Sequence, residues 1–143
     1  MTSNSSTPNT SPTESDNKQE KPRFFDAEAK SLCWAKADLL IGRHPDRWRR
    51  DAVGNIICKR FDNCEACLCY KYDQILPLSK GGEFTAENCQ ILQSRVYRYK
   101  SDEDNLDKSQ LKRFSSDDAN VLTDRELDTI EVAVYGDVIR PGN

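Results

Sequence analysis

The sequence predicts a small α+β protein, and three observations carry that prediction. Ala52-Val53-Gly54-Asn55 forms turns, and it lies between Trp48-Arg49-Arg50-Asp51 and the apolar Ile56-Ile57-Cys58, which is the pattern of a hairpin. A run from Leu68 to Leu76, rich in Tyr, Cys and Ile, reads as a further strand and is followed by a Gly-Gly loop and a segment of helical periodicity. Helices with capping signals flank this central unit on both sides. The chain has 143 residues, 36% of them apolar and 31% charged, which allows one modest core with extensions rather than two full domains.

The elements follow in order. Residues 1–22 are Ser, Thr, Asn, Pro, Glu and Lys with almost no apolar content, and they are predicted to be a disordered tail. Residues 23–47 form an N-terminal helix and loop. Asp26 is its N-cap, Ala29, Leu32, Cys33, Lys36, Ala37 and Leu40 follow at helical spacing, and Gly42 supplies a left-handed stop. Phe25, Leu32, Trp34 and Leu40 are read as core. Residues 48–101 hold the hairpin, the strand and a loop at Lys80-Gly81-Gly82-Glu83. Thr85 then caps a helix from about Ala86 to Lys100, with Ile91, Leu92, Val96 and Tyr99 as its buried stripe. Residues 102–122 are acidic and polar and read as a linker. In residues 123–143, Thr123-Asp124-Arg125-Glu126 is a capping box. Leu127, Ile130, Val134 and Tyr135 form one apolar stripe, and Gly136 ends the helix. A helix this short needs a surface to dock on, and the central unit is the expected one.

Net charge is −3 overall but uneven: residues 23–100 carry fourteen Lys/Arg against ten acids, and residues 101–143 carry five against eleven. A basic middle beside an acidic tail suits a partner bearing phosphates. No apolar run is long enough for a membrane span, and the first residues lack both a signal-peptide core and the arginines of a transit peptide. A nuclear or cytoplasmic location is expected. Five of the six Cys fall between Cys58 and Cys89, and without a secretion signal clustered Cys point to zinc rather than to a disulfide framework. Cys64-Glu65-Ala66-Cys67 has zinc-knuckle spacing. Cys58, Cys64, Cys67 and Cys69 are the candidate ligands of a structural zinc, with Cys89 nearby, and small buried thiols in a thin core are the alternative.

The informative segment is Tyr72-Asp73-Gln74-Ile75-Leu76-Pro77-Leu78-Ser79-Lys80-Gly81-Gly82, followed by Glu87-Asn88-Cys89-Gln90-Ile91-Leu92. It resembles the HNH endonuclease family, the ββα-metal nucleases. Their usual pattern is Asp-His-Ile/Val, one residue, Pro, two residues and Gly-Gly, then Asn, then a His or Asn within the finger helix. The run from Trp48 to Lys100 is similar to plant members of that family, as is the loop from Gly42 to Trp48. The resemblance implies a single ββα finger and a role for each site residue. Asp73 stands at the position that binds a divalent ion, Mg²⁺ or Mn²⁺, which stabilises charge on the scissile phosphate. Asn88 stands at the position that orients the general base.

Two positions depart from the family pattern. Gln74 occupies the place of the catalytic His, and a carboxamide has no useful basicity near neutral pH. Loss of a positioned general base lowers a rate by about a hundredfold to ten-thousandfold. Tyr97 occupies the metal-ligand position of the helix and is a poor ligand for Mg²⁺. The only His, His44, lies outside the finger and reads as a loop residue that packs or caps rather than a substitute base. Around the finger, Arg49, Arg50, Lys80, Arg95, Arg98 and Lys100 are the candidates for phosphate contact, with Arg47, Lys59 and Arg60 nearby. Tyr97 and Tyr99 are candidates for base stacking, although the spacing of Tyr99 also fits core. The expected function is nucleic-acid binding, to DNA ahead of RNA, with metal-dependent phosphodiester cleavage weak or lost. The alternatives are an active endonuclease with a non-standard base, and a zinc-stabilised module that binds a protein through the C-terminal helix.

Overall fold

A computed structural model describes residues 21–102, 108–114 and 122–141. The predicted disorder of residues 1–22 falls, apart from its last two positions, outside the described residues, as do residues 103–107 and 115–121 of the predicted linker.

Helix α1 (Ala27–Lys36) begins at Asp26, whose carboxylate accepts the Ala29 N–H at 2.8 Å. It ends earlier than predicted. Ala37 is extended, and Asp38–Leu39 (β1) leaves the helix to pair with β2 (Trp48–Arg50), so strand pairing overrides the helical spacing that reaches Leu40. Gly42, expected as the helix stop, has φ 89° in the turn that follows. Strand β3 (Ile56–Cys58) pairs antiparallel with β2 in the register Trp48↔Cys58, completing a sheet of order β1-β2-β3. The β2–β3 turn is organised by Asp51, whose buried carboxylate accepts the N–H groups of Val53, Asn55 and Gln93. The last of these ties the hairpin to the second sheet.

That sheet has two strands, β4 (Tyr70–Gln74) and β5 (Cys89–Gln93), paired antiparallel from Tyr70↔Gln93 to Gln74↔Cys89. Helix α2 (Ser94–Asp102) follows directly. The helix predicted from Ala86 is therefore corrected. Ala86–Asn88 is one 3₁₀ turn capped by Thr85, the next five residues are strand, and the helix starts at Ser94. An apolar run such as Cys89-Gln90-Ile91-Leu92 satisfies either periodicity, and five backbone pairs with β4 decide for strand. The observed order of strand, loop, strand and helix is a ββα unit, and the fold as a whole is α+β.

Among the described residues the core has three parts. Cys33 and Trp34 of α1, with Phe25 just before it, pack against Ile57, Tyr70 and Ile91. Val53, Leu92 and Val96 enclose Leu111, delivered by the short helix α3 (Lys108–Leu111). Helix α4 (Asp124–Tyr135) carries the predicted capping box at Thr123 and Glu126 and stops at Gly136, φ 91°. Its Leu127 is buried with Leu40, Trp48 and Leu68, while Ile130, Val134 and Tyr135 pack alongside. The C-terminal stripe thus docks within the chain. Leu32 and Tyr99, both expected in the core, are 52% and 46% exposed. Among the described residues no helix is long and apolar enough to cross a membrane.

Candidate functional site

The segment between β4 and β5 is long, and Asn88 latches it shut. Its Oδ1 accepts the Leu76 N–H at 2.8 Å, and its Nδ2 donates to the carbonyls of Leu76 and Glu83 at 3.0 and 2.8 Å. Its backbone carbonyl also accepts the Ile75 N–H at 3.0 Å. The two glycines serve this closure differently. Gly81 is left-handed at φ 90°, whereas Gly82 lies so close to the chain that an added Cβ would sit 1.6 Å from the Leu76 carbonyl oxygen. The residue expected to orient a catalytic base therefore holds the backbone immediately after Gln74.

Beneath the loop lies a cavity of about 260 Å³ lined by Asp73, Gln74, Pro77, Ser79, Tyr97, Lys100 and Ser101. Asp73 and Gln74 come from the end of β4, and Tyr97 and Lys100 from one face of α2. Asp73 is matched from two directions. Its Oδ2 accepts from Lys100 Nζ at 2.6 Å and from Gln90 Nε2 at 2.9 Å, and the Asp73 and Lys100 side chains are only 12% and 13% exposed. Lys100 donates as well to the Gln74 carbonyl at 2.6 Å. Gln90 stands directly across the sheet from Asp73, a pairing that a helical reading of β5 conceals.

Gln74 is oriented by the loop it precedes. Its Oε1 accepts the Leu78 N–H at 3.0 Å, which leaves the amide nitrogen pointing the other way. That nitrogen is buried and has no hydrogen-bond partner among the described residues. Turning the amide over would set NH₂ against the Leu78 N–H, so the assignment is fixed by chemistry. Where the resemblance expects a proton acceptor, this chain presents a donor.

The predicted phosphate contacts divide. Lys80 and Arg95 are exposed and form no ion pair among the described residues. Arg98 is exposed and pairs with Glu65 at 2.6 Å. Arg50 is half-buried and donates to the Gly54 carbonyl at 2.7 Å. Arg49 is a correction, because it is buried, donates to the carbonyls of Pro45, Ala35 and Ala37, and lies over the Trp34 ring. Lys100 is a second correction, since its ammonium is engaged inside the site. Arg47 pairs with Glu131 and Asp137, Arg60 donates to the Val134 carbonyl, and Lys59 sits 4.9 Å from the Trp34 ring centre. His44 accepts the Asp46 N–H through Nδ1 and does not line the cavity.

Two of the four sulfurs proposed for zinc are bonded to each other. Cys64 and Cys69 are joined by a disulfide with Cα atoms 5.2 Å apart, which corrects the expectation that the cluster holds none. The tight turn over Cys64–Cys69 brings those two sulfurs together in place of the Cys64/Cys67 pair. Cys67 is exposed, and Cys58 is buried with its sulfur 4.0 Å from the Tyr135 hydroxyl. Among the described residues no group of three or more His, Cys, Asp or Glu is arranged to hold a metal ion. No family model, curated protein or solved structure matches the chain.

Proposed function

We propose that the β4–β5–α2 unit is an HNH-type finger that binds nucleic acid through its phosphate backbone and has lost most or all of the family's cleavage chemistry. The observation that carries this reading is Gln74. Its carboxamide oxygen is committed to Leu78, and the remaining group is an N–H donor. A donor can hold a phosphate oxygen, but it cannot take a proton from water. The Gln74 amide nitrogen has no partner among the described residues, a deficiency that costs about 1–3 kcal/mol.

The residues present do not fit the divalent ion that the resemblance implies. Asp73 already faces an ammonium at 2.6 Å and an amide N–H, and the helix position contributes Tyr97 rather than a metal-binding side chain. Lys80 and Arg95, both exposed, remain for phosphate contact outside the cavity. The alternative of a protein-binding C-terminal helix gains no support, because the stripe of α4 is covered by the chain's own core.

The test is nicking of supercoiled plasmid with Mg²⁺ or Mn²⁺, run beside a DNA-binding measurement. The natural protein is expected to bind DNA and to leave plasmid uncut, with nicking emerging in Gln74→His combined with Tyr97→Asn. Robust cutting by the natural protein, abolished by Asp73→Ala, would overturn the proposal in favour of an active enzyme.

A further inference from the structure

A second and larger cavity, of about 450 Å³, lies on the other side of Tyr97. That size falls within the roughly 300–1,000 Å³ of small-ligand clefts. Its lining is mainly rings and cations, with Asn63 and one acid beside them. Phe24, Tyr72, Phe84 and Tyr97 contribute rings, and Arg23, Lys30 and Lys71 contribute cations. Asp62 is the lining acid. Glu65, just outside, holds Lys71 at 3.0 Å and Arg98 at 2.6 Å.

The rings are supported from behind rather than free to collapse. Phe84 is braced edge-on by buried Phe25, with ring centres 5.0 Å apart, and Tyr72 is braced by Tyr70 at 5.5 Å. Burial pushes the Tyr72 hydroxyl up to about 12, so it offers a neutral ring at any physiological pH. Two of the cations lie over rings, Lys30 over Tyr72 at 5.5 Å and Lys71 over Tyr97 at 5.9 Å. At the mouth, Phe24 is 69% exposed, a large apolar surface left in water beside positive charge.

Rings interleaved with cations match one ligand chemistry: flat aromatic bases linked by phosphates. In a duplex the faces of the bases are already stacked on one another, so braced protein rings select bases that are unpaired. Tyr97 lines this cavity and the Asp73–Gln74 cavity alike, so the two adjoin at α2. We infer that the Phe24–Tyr72–Phe84–Tyr97 groove takes an unpaired nucleotide of a single-stranded nucleic acid, with its phosphates on Arg23, Lys30 and Lys71. The inference deepens the proposed function and rests on its premise that this face binds nucleic acid.

The experiment is fluorescence anisotropy of the full chain with labelled short oligonucleotides, as single-stranded DNA, single-stranded RNA and duplex DNA, each at low and moderate salt. Single strands should bind more tightly than duplex, and the comparison of the DNA and RNA arms identifies which sugar is preferred. Phe24→Ala, at a position mostly in water and therefore tolerant of change, should weaken single-strand binding about five- to hundredfold and leave duplex binding unchanged. Lys30→Glu should act in the same direction. If both variants bind single strands like the natural protein while salt-dependent duplex binding persists, the groove is wrong and the finger reading stands. If no oligonucleotide binds at all, both fall together.

Discussion

Asp73 and Glu131 each hold a cation through a short contact, yet the two carboxylates belong to different kinds of place. Glu131, on α4, is fully buried and has every direction filled: Arg43 at 2.9 Å, Arg47 at 2.8 Å, the Trp48 indole N–H at 3.1 Å and the Ile139 N–H at 3.0 Å. Arg43 itself is 2% exposed and also reaches Asp124 and Asp128. Asp73 has two partners and stands on the wall of a cavity, next to an amide nitrogen that has none. A satisfied network anchors a helix to the core. A partly satisfied one beside open space is where a ligand can still add something. Burial and charge pairing therefore do not identify a functional carboxylate by themselves; what is left over around it does.

Glu131→Ala should have the largest effect of all. Removing that carboxylate leaves Arg43 buried with a weakened set of partners and should destabilise the protein by about 3–5 kcal/mol in urea unfolding. Asp73→Ala releases Lys100, which can turn toward the cavity mouth, and should lower stability by about 1 kcal/mol. Equal losses would erase the distinction between anchor and site. Gly82→Ala comes next, because its Cβ would collide with the backbone oxygen of Leu76 and open the loop that Asn88 closes. A loss of about 3 kcal/mol is expected, at the top of the range for overpacking. A Gly82→Ala variant as stable as the natural chain would mean that the loop is not held as described.

The acid limb of stability separates the two regions further. Burial pushes the Glu131 carboxyl up, but the Ile139 N–H, Arg47, Arg43 and Trp48 outweigh it and hold the carboxyl below the usual carboxylate range. Asp124 is held down by Arg43 and Arg140. A carboxyl with a lowered folded pKa binds fewer protons in the folded state than in the unfolded one. Its stabilisation is complete above the unfolded value, about 4, and is lost as pH falls toward the folded value. Unfolding free energy should thus decline below about pH 4, and Glu131→Gln should flatten that decline. An unchanged acid limb in the variant would remove the α4 network as its source.

Much of this was legible in the sequence where local chemistry decides. Asp26, Thr123, Glu126 and Gly136 act at helix ends, where a single side chain or a missing Cβ sets the outcome within one turn. The Gly81-Gly82 loop was legible in its composition, whereas Asn88 was singled out by the family resemblance and not for the latch it forms. The β5 strand was not, because Cys89-Gln90-Ile91-Leu92 is apolar enough for either periodicity and only its pairing with β4 decides. That single misassignment hid Gln90 opposite Asp73, and with it half of the environment of Asp73. The fates of Arg49 and Lys100 were hidden for a related reason. A basic residue reads the same in sequence whether it faces water, a ring of carbonyls or a carboxylate.

The smallest effects test that last division most directly. Arg95 is exposed on α2, and a residue that contacts phosphate displaces condensed counterions when it binds. Arg95→Ala should weaken DNA binding and reduce the slope of log K against log salt by about 1, while leaving unfolding free energy within about 0.5 kcal/mol of the natural protein. Arg49→Ala should behave in the opposite way. Its guanidinium caps the carbonyls of Pro45, Ala35 and Ala37, so its removal should lower stability while leaving the salt slope unchanged wherever the variant is folded. Two arginines on the same predicted basic face would then answer to different measurements. Were Arg49→Ala to reduce the salt slope as Arg95→Ala does, the buried arginine would have to become accessible on binding, and β2 would belong to the interface as well.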